Sequence, residues 1–196
     1  MKKVLKLLYV LIASLSINAC VSTQWKATNG KEIADAHKRF KIKAPSGWMQ
    51  LAANSDSIVI SRDGLSLQSI KVGAIRENDL QAIMRKIARD KNKSLKLASL
   101  LPSELAGIVV SIFKNRKQTS NIKVLVNEPA TIGTNITGFR LSMVYKTDSG
   151  LQVKREVYGY AKESTLVFIM YQAPKIHYYA RDLSTFRRII ASFRRL

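Results

Sequence analysis

The most constraining stretch of this 196-residue sequence is Leu166–Tyr171, an unbroken apolar run. A strand wet on one face alternates apolar and polar residues. An unbroken run of this length between turn signals is a strand covered on both faces. It belongs in the middle of a sheet, with material packed above and below. The preceding residues supply its neighbours. Gly138–Lys146 alternates, with Phe139, Leu141, Met143 and Tyr145 on one face and Arg140, Ser142 and Lys146 on the other. Thr147-Asp148-Ser149-Gly150 is a turn. Leu151–Ala161 then sets Leu151, Val153, Val157 and Ala161 against Gln152, Lys154, Glu156, Tyr158 and Tyr160, and Lys162-Glu163-Ser164 turns the chain again. Strands joined by such short turns are antiparallel neighbours.

Two faces need covers, and three helical patterns provide them. Leu80, Ile83, Met84, Ile87 and Ala88 form one stripe, with Asn78 or Asp79 as its cap. Pro102-Ser103-Glu104 opens a second helix, whose stripe is Leu105, Ile108, Val109, Ile112 and Phe113. A third runs from about Arg181, with Phe186, Ile189, Ile190 and Phe193 inward. Further strands are Phe40–Ala44, Ser57–Arg62 and Ile122–Val126. A hairpin turn at Asp63-Gly64 leads into Leu65–Ile75, where the alternation shifts phase near Ser69 and predicts a bulge. The order predicts an α+β domain, a mostly antiparallel sheet flanked by helices.

The amino terminus has a separate logic. Lys2, Lys3 and Lys6 precede an apolar run, Leu7–Ile17, too short for the ~20 residues of a bilayer-spanning helix. The run ends at Ile17-Asn18-Ala19-Cys20, which resembles the lipobox of bacterial lipoproteins. The resemblance implies cleavage after residue 19 and a lipid on Cys20, the only cysteine in the chain. It also implies an exported protein, on the periplasmic face of the outer membrane since no aspartate follows Cys20. The expected organisation is a signal peptide at 1–19, a lipidated cysteine and polar tether at 20–37, and one domain at 38–196. Trp25 in the tether either sits at the bilayer interface or packs on the domain.

The domain's particular residues resemble the PsbP-like α/β/α sandwich. Phe40-Lys41-Ile42-Lys43-Ala44-Pro45-Ser46-Gly47-Trp48 carries the likeness near the start, with Asn127-Glu128-Pro129-Ala130 before the meander and Ser149-Gly150 in its hairpin. Ala173-Pro174 through Ser192-Phe193-Arg194 closes it, so that it covers most of 38–196. The resemblance implies an accessory, assembly or binding protein without catalytic activity.

The sequence offers little chemistry. There is no Gly-x-Ser-x-Gly elbow, His-Glu-x-x-His helix or phosphate-cradling loop. His37 and His177 stand 140 positions apart, and no cofactor or metal is expected. The formal net charge is +20, and removing the signal with its three lysines leaves +17. Such a surface favours anionic lipid, lipopolysaccharide phosphate or acidic polymer. An exported protein without nucleic-acid-binding motifs is not expected to bind nucleic acid. Candidate anionic-surface contacts are Arg85, Lys86, Arg89, Lys91, Lys93 and Lys96 in one run and Arg187, Arg188, Arg194 and Arg195 in the last helix. The alternative is a plain solvated face. His177, Tyr178 and Tyr179 either line a pocket or pack the loop before that helix. The expected function is a non-catalytic envelope lipoprotein, scaffolding a protein partner or binding an anionic ligand.

Overall fold

The computed structural model describes residues 25–52, 56–89, 94–116 and 119–196. The expected export signal, Cys20, Lys91 and Lys93 lie outside them. The strands are β1 (Trp25–Thr28), β2 (Glu32–Ala34), β3 (Phe40–Lys43), β4 (Trp48–Leu51), β5 (Ser57–Ser61), β6 (Ser69–Arg76), β7 (Ser120–Ile132), β8 (Ile136–Lys146), β9 (Gln152–Lys162), β10 (Thr165–Pro174) and β11 (Arg194–Arg195). The helices are α1 (Glu77–Ala88), α2 (Pro102–Lys114) and α3 (Tyr178–Ser192), with a short 3₁₀ turn at Leu97–Ser99.

One antiparallel sheet runs β1-β4-β5-β6-β10-β9-β8-β7, and a small second sheet runs β11-β3-β2. The apolar run of β10 lies between β6 and β9, as its pattern requires. Its Val167, Ile169 and Tyr171 pack with Phe186, Ile189 and Ile190 of α3. Its Leu166, Phe168 and Met170 face the other way, toward the core of α1 and α2. The sheet is therefore sandwiched between α3 with the small sheet on one side and α1 with α2 on the other. Close approach on the α1/α2 side depends on glycine: a Cβ at Gly159 would meet the Phe139 ring at 2.7 Å.

The Pro45-Ser46-Gly47 turn delivers Trp48 into the α3-side core, with Gly47 at φ +74° where a side chain is strained. The helix stripes hold in part. On α1, Leu80 and Met84 are buried, whereas Ile83 and Ala88 are exposed because only one edge of this helix meets the sheet. Neither Asn78 nor Asp79 caps it. The helix starts at Glu77, whose N–H donates to the Ser164 carbonyl (2.7 Å). On α2, Leu105, Ile108, Val109 and Phe113 are buried and Ile112 is half-buried.

Four boundaries differ from expectation. The segment expected as a tether, residues 20–37, overlaps the folded part, because Trp25–Thr28 pairs with β4 at the sheet edge and Glu32–Ala34 pairs with β3. Thr28 fixes that edge by donating from Oγ1 to the carbonyls of Pro45 and Trp48. The bulge near Ser69 is absent. The strand begins there, and Leu65 is exposed in a loop closed by hydrogen bonds from Leu67 and Gln68 to the Gly64 carbonyl. Ile122–Val126 is the first part of a 13-residue strand that itself carries the register shifts. Finally, α3 starts at Tyr178 rather than near Arg181, so both tyrosines of the His177-Tyr178-Tyr179 motif are helical.

Candidate functional site

The inward stripe of α3 aims its remaining residues at the rims of the α3 side. Ile189 is buried, so Thr185, Arg188 and Ser192 turn toward the β3–β4 turn. There they meet Lys43, Ser46 and the backbone of Gly47, with Arg62 arriving from the β5–β6 loop. Together they line a cleft of about 510 Å³. Ser192 is set by its own bonds, accepting from the Lys43 N–H (3.0 Å) and donating to the Ile189 carbonyl (2.9 Å). Arg188 Nη2 donates to Thr185 Oγ1 (2.8 Å). Three cations and several hydroxyls line this cleft, and no carboxylate does.

A second cleft, about 420 Å³, opens just past the C-terminal end of α3. Thr134 and Asn135 of the β7–β8 turn, Ile136 and Thr137 at the start of β8, Lys162 at the end of β9, and Arg194 and Arg195 line it, again without an acid. Arg194 is held by bonds from Nη1 to the carbonyls of Ala191 (2.9 Å) and Phe193 (2.8 Å). The Gly133 N–H donates to the Ile190 carbonyl (3.0 Å) and ties the turn to the helix end.

A third opening lies on the opposite side of the sheet, between the end of α2, the β8–β9 turn and β10, with a volume of about 680 Å³. Arg155 of β9 forms part of its wall.

The expected basic contacts are not gathered into one surface. Arg85, Lys86, Arg89 and Lys96 are exposed on the α1 side, while Arg187, Arg188, Arg194 and Arg195 are exposed on the α3 side. The sheet separates the two groups. Lys43, Arg62 and Lys162 join the α3 group from distant parts of the chain, and sequence reading missed them. Spacing carries no signal for residues that converge only in the fold.

The aromatic motif is a packing element. Tyr179 is buried, stacked on Tyr171 with ring centroids 5.3 Å apart, and its hydroxyl donates to Glu156 Oε2. Burial first, then the bond to Glu156, holds its pKa well above the ordinary tyrosine value. Tyr178 is half-buried and His177 is exposed, edge-on to Tyr178 at 5.0 Å. His37 Nε2 lies 2.5 Å from Asp56 Oδ1, with both side chains exposed. Among the described residues no three His, Cys, Asp or Glu side chains are grouped as a metal site would need.

An ion network pins the β5–β6 loop to α3. Buried Asp182 accepts from Arg62 (3.2 Å), Gln68 (2.9 Å) and Arg181 (2.7 Å), and Arg181 also bonds Asp63. Each cation there is matched by an acid, so the network reads as a clasp.

No family model and no curated protein matches the sequence. Solved structures do match the fold. Mog1p of Saccharomyces cerevisiae, a Ran-binding protein, is 15% identical with a TM-score of 0.53, over 86% of this chain and 96% of Mog1p. The fold is an α+β sandwich shared with Mog1p, a mostly antiparallel sheet flanked by helices. Cyanobacterial PsbP (CyanoP) from Synechocystis is 11% identical with a TM-score of 0.49, over 92% of this chain and 98% of that one. A protein from Bacteroides thetaiotaomicron is 12% identical with a TM-score of 0.46 over 86% of this chain. The chain spans about half of that protein's length, 49%.

Proposed function

We propose that this chain is a non-catalytic envelope lipoprotein, held by lipid on Cys20 at the periplasmic face of the outer membrane. It acts as an accessory binding module whose α3 flank rests on anionic lipid or polymer. The observation that carries this reading is the pair of clefts flanking α3, each lined by three cations and no carboxylate. Arg62 pairs with Asp182 and Lys162 with Glu163, but Lys43, Arg188, Arg194 and Arg195 make no ion pair among the described residues, and unmatched cations at a surface attract the opposite sign in a partner. The short tether adds to the argument. β1 begins five residues after Cys20, so a lipid there holds the β1 edge within roughly 17 Å even at full extension. Gly30, just beyond β1, lines the first cleft, which puts that cleft close to the anchored end. In Mog1p the same sandwich belongs to a Ran-binding protein. The shared fold passes no ligand to this chain, because a fold hosts many functions.

Vesicle binding tests the reading. The soluble chain starting at Val21 should bind phosphatidylglycerol vesicles and lose them as salt rises past physiological strength. Each cation lost near such a surface costs about 1 kcal/mol, so replacing Lys43, Arg188 and Arg194 together by Gln should weaken binding on the order of a hundredfold. Salt-independent binding, or an unaffected triple variant, would sink the proposal. Separately, Cys20→Ser should release the protein or leave it unprocessed. Unchanged membrane fractionation would overturn the anchor.

A further inference from the structure

Arg155 breaks the pattern of its surroundings. It stands on the apolar phase of β9 between Val153 and Val157 and is 4% exposed. Its Nε (3.1 Å) and Nη2 donate to Gln172 Oε1, and Nη2 also donates to Tyr145 Oη (3.0 Å). These acceptors are neutral. Nη1 is buried and has no partner. Among the described residues Arg155 makes no ion pair, whereas Arg140 pairs with Glu156 and Glu128, and Arg181 with Asp63 and Asp182. A buried charge left without a counter-ion is costly. Burial pulls the Arg155 pKa down to about 10. Tyr145 opposes that fall and the like charge of Arg116 adds to it.

The guanidinium is nevertheless fixed in orientation. Its carbon lies 3.9 Å from the Phe113 ring centroid and 4.7 Å from that of Tyr145, so two aromatic faces fix its plane. It forms part of the wall of the 680 Å³ cleft, within the size range of small-ligand sites. Lys71 and Arg116 add two more cations to that wall, against Asp148 as its one acid. Val59 and Met170 give it apolar surface.

We infer that the α2 side of the sheet carries a site for a small organic anion, a carboxylate or a phosphate ester, seated on the Arg155 guanidinium. Nε and Nη2 are already taken by Gln172 and Tyr145, so the N–H groups of Nη1 are the donors left for the anion's oxygens. The anion supplies the counter-charge that the fold withholds and a partner for Nη1. Arg116, exposed at the rim, closes over it, and the apolar wall takes the organic body. This site is separate from the α3 flank and does not depend on it.

The test is calorimetric titration of the full-length protein in neutral detergent. The probes are benzoate, inorganic phosphate and glycerol 3-phosphate, each against potassium chloride of matched ionic strength. Phosphatidic acid vesicles form a further arm. At least one free anion should bind saturably and raise the melting temperature above the chloride control. Arg155→Met should abolish both responses, and Arg116→Gln should weaken binding about tenfold. Arg116 is exposed, so its variant reads the site even if Arg155→Met does not fold. Vesicle binding through the α3 flank should survive both changes, which separates failure of this site from failure of the surface reading. The inference is overturned if no free anion binds beyond the chloride control. It is equally overturned if either variant binds as the parent does, or if Arg155-dependent binding appears only with vesicles.

Discussion

The two sides of the large sheet treat buried charge in opposite ways. On the α3 side three carboxylates are buried, Asp35, Glu156 and Asp182, and each meets an arginine. On the α2 side one charge is buried, Arg155, and it meets none. Glu156 and Arg155 are adjacent on β9, so the strand's two-residue period alone sends them to opposite environments. Glu156 accepts from Arg140 Nε (2.9 Å) and from the Tyr179 hydroxyl. The α3 side is also aromatic, with Phe40, Phe186, Phe193, Tyr160, Tyr171 and Tyr179 in one cluster. The α2 side is largely aliphatic. The contrast separates charge that holds the fold together from charge held ready for something else.

The largest effect should come from breaking a matched pair. Glu156→Gln removes the countercharge of half-buried Arg140 and weakens the bond to Tyr179. It should cost about 2 kcal/mol by urea unfolding, less than for a fully buried pair because Arg140 keeps Glu128. A loss below about 0.5 kcal/mol would erase the contrast between the two sides.

A smaller effect is expected at Asp35, where pH sharpens the comparison. Burial alone would raise its pKa. Hydrogen bonds from Arg39 Nε (2.7 Å) and from the N–H groups of Phe40 (3.1 Å) and Arg39 (2.6 Å) outweigh it, and the carboxyl lies below its ordinary value. A carboxyl depressed in the fold contributes stability above its unfolded pKa, near 3.8, and loses it as pH falls through the lower folded value. Asp35→Asn should therefore cost about 1 kcal/mol at neutral pH. The difference from the parent should vanish in acid below the ordinary carboxyl range. A gap that stays constant through that window would contradict the assignment.

Much of the sandwich was legible because its strands are long and their turns short. β8, β9 and β10 follow directly from alternation, from the Ser149-Gly150 turn and from the doubly covered run of β10. β1 and β2 were not legible. At four and three residues they have no period to read, and the partner of β1, β4, lies beyond two intervening strands. Leu65 misled the reading of β6, since one apolar residue in a loop imitates the start of a strand. For the α3 clefts, Arg188 and the Arg194-Arg195 pair were visible as a basic helix end, but Lys43 and Arg62 reach them only through tertiary contact. Arg155 did carry a signal, a charge on the apolar phase of a strand between two valines. Its lack of a counter-ion required the packed structure.

The most direct measurement is a paired thermal unfolding of Arg155→Met and Glu156→Gln in the absence of added anions. If Arg155 is a charge the fold does not need, its replacement by an apolar side chain of similar length should leave the melting temperature within about 2 °C of the parent or raise it. Its neighbour should fall by about 4 to 8 °C. A drop at Arg155 as large as that at Glu156 would show that the guanidinium is structural and contradict the account.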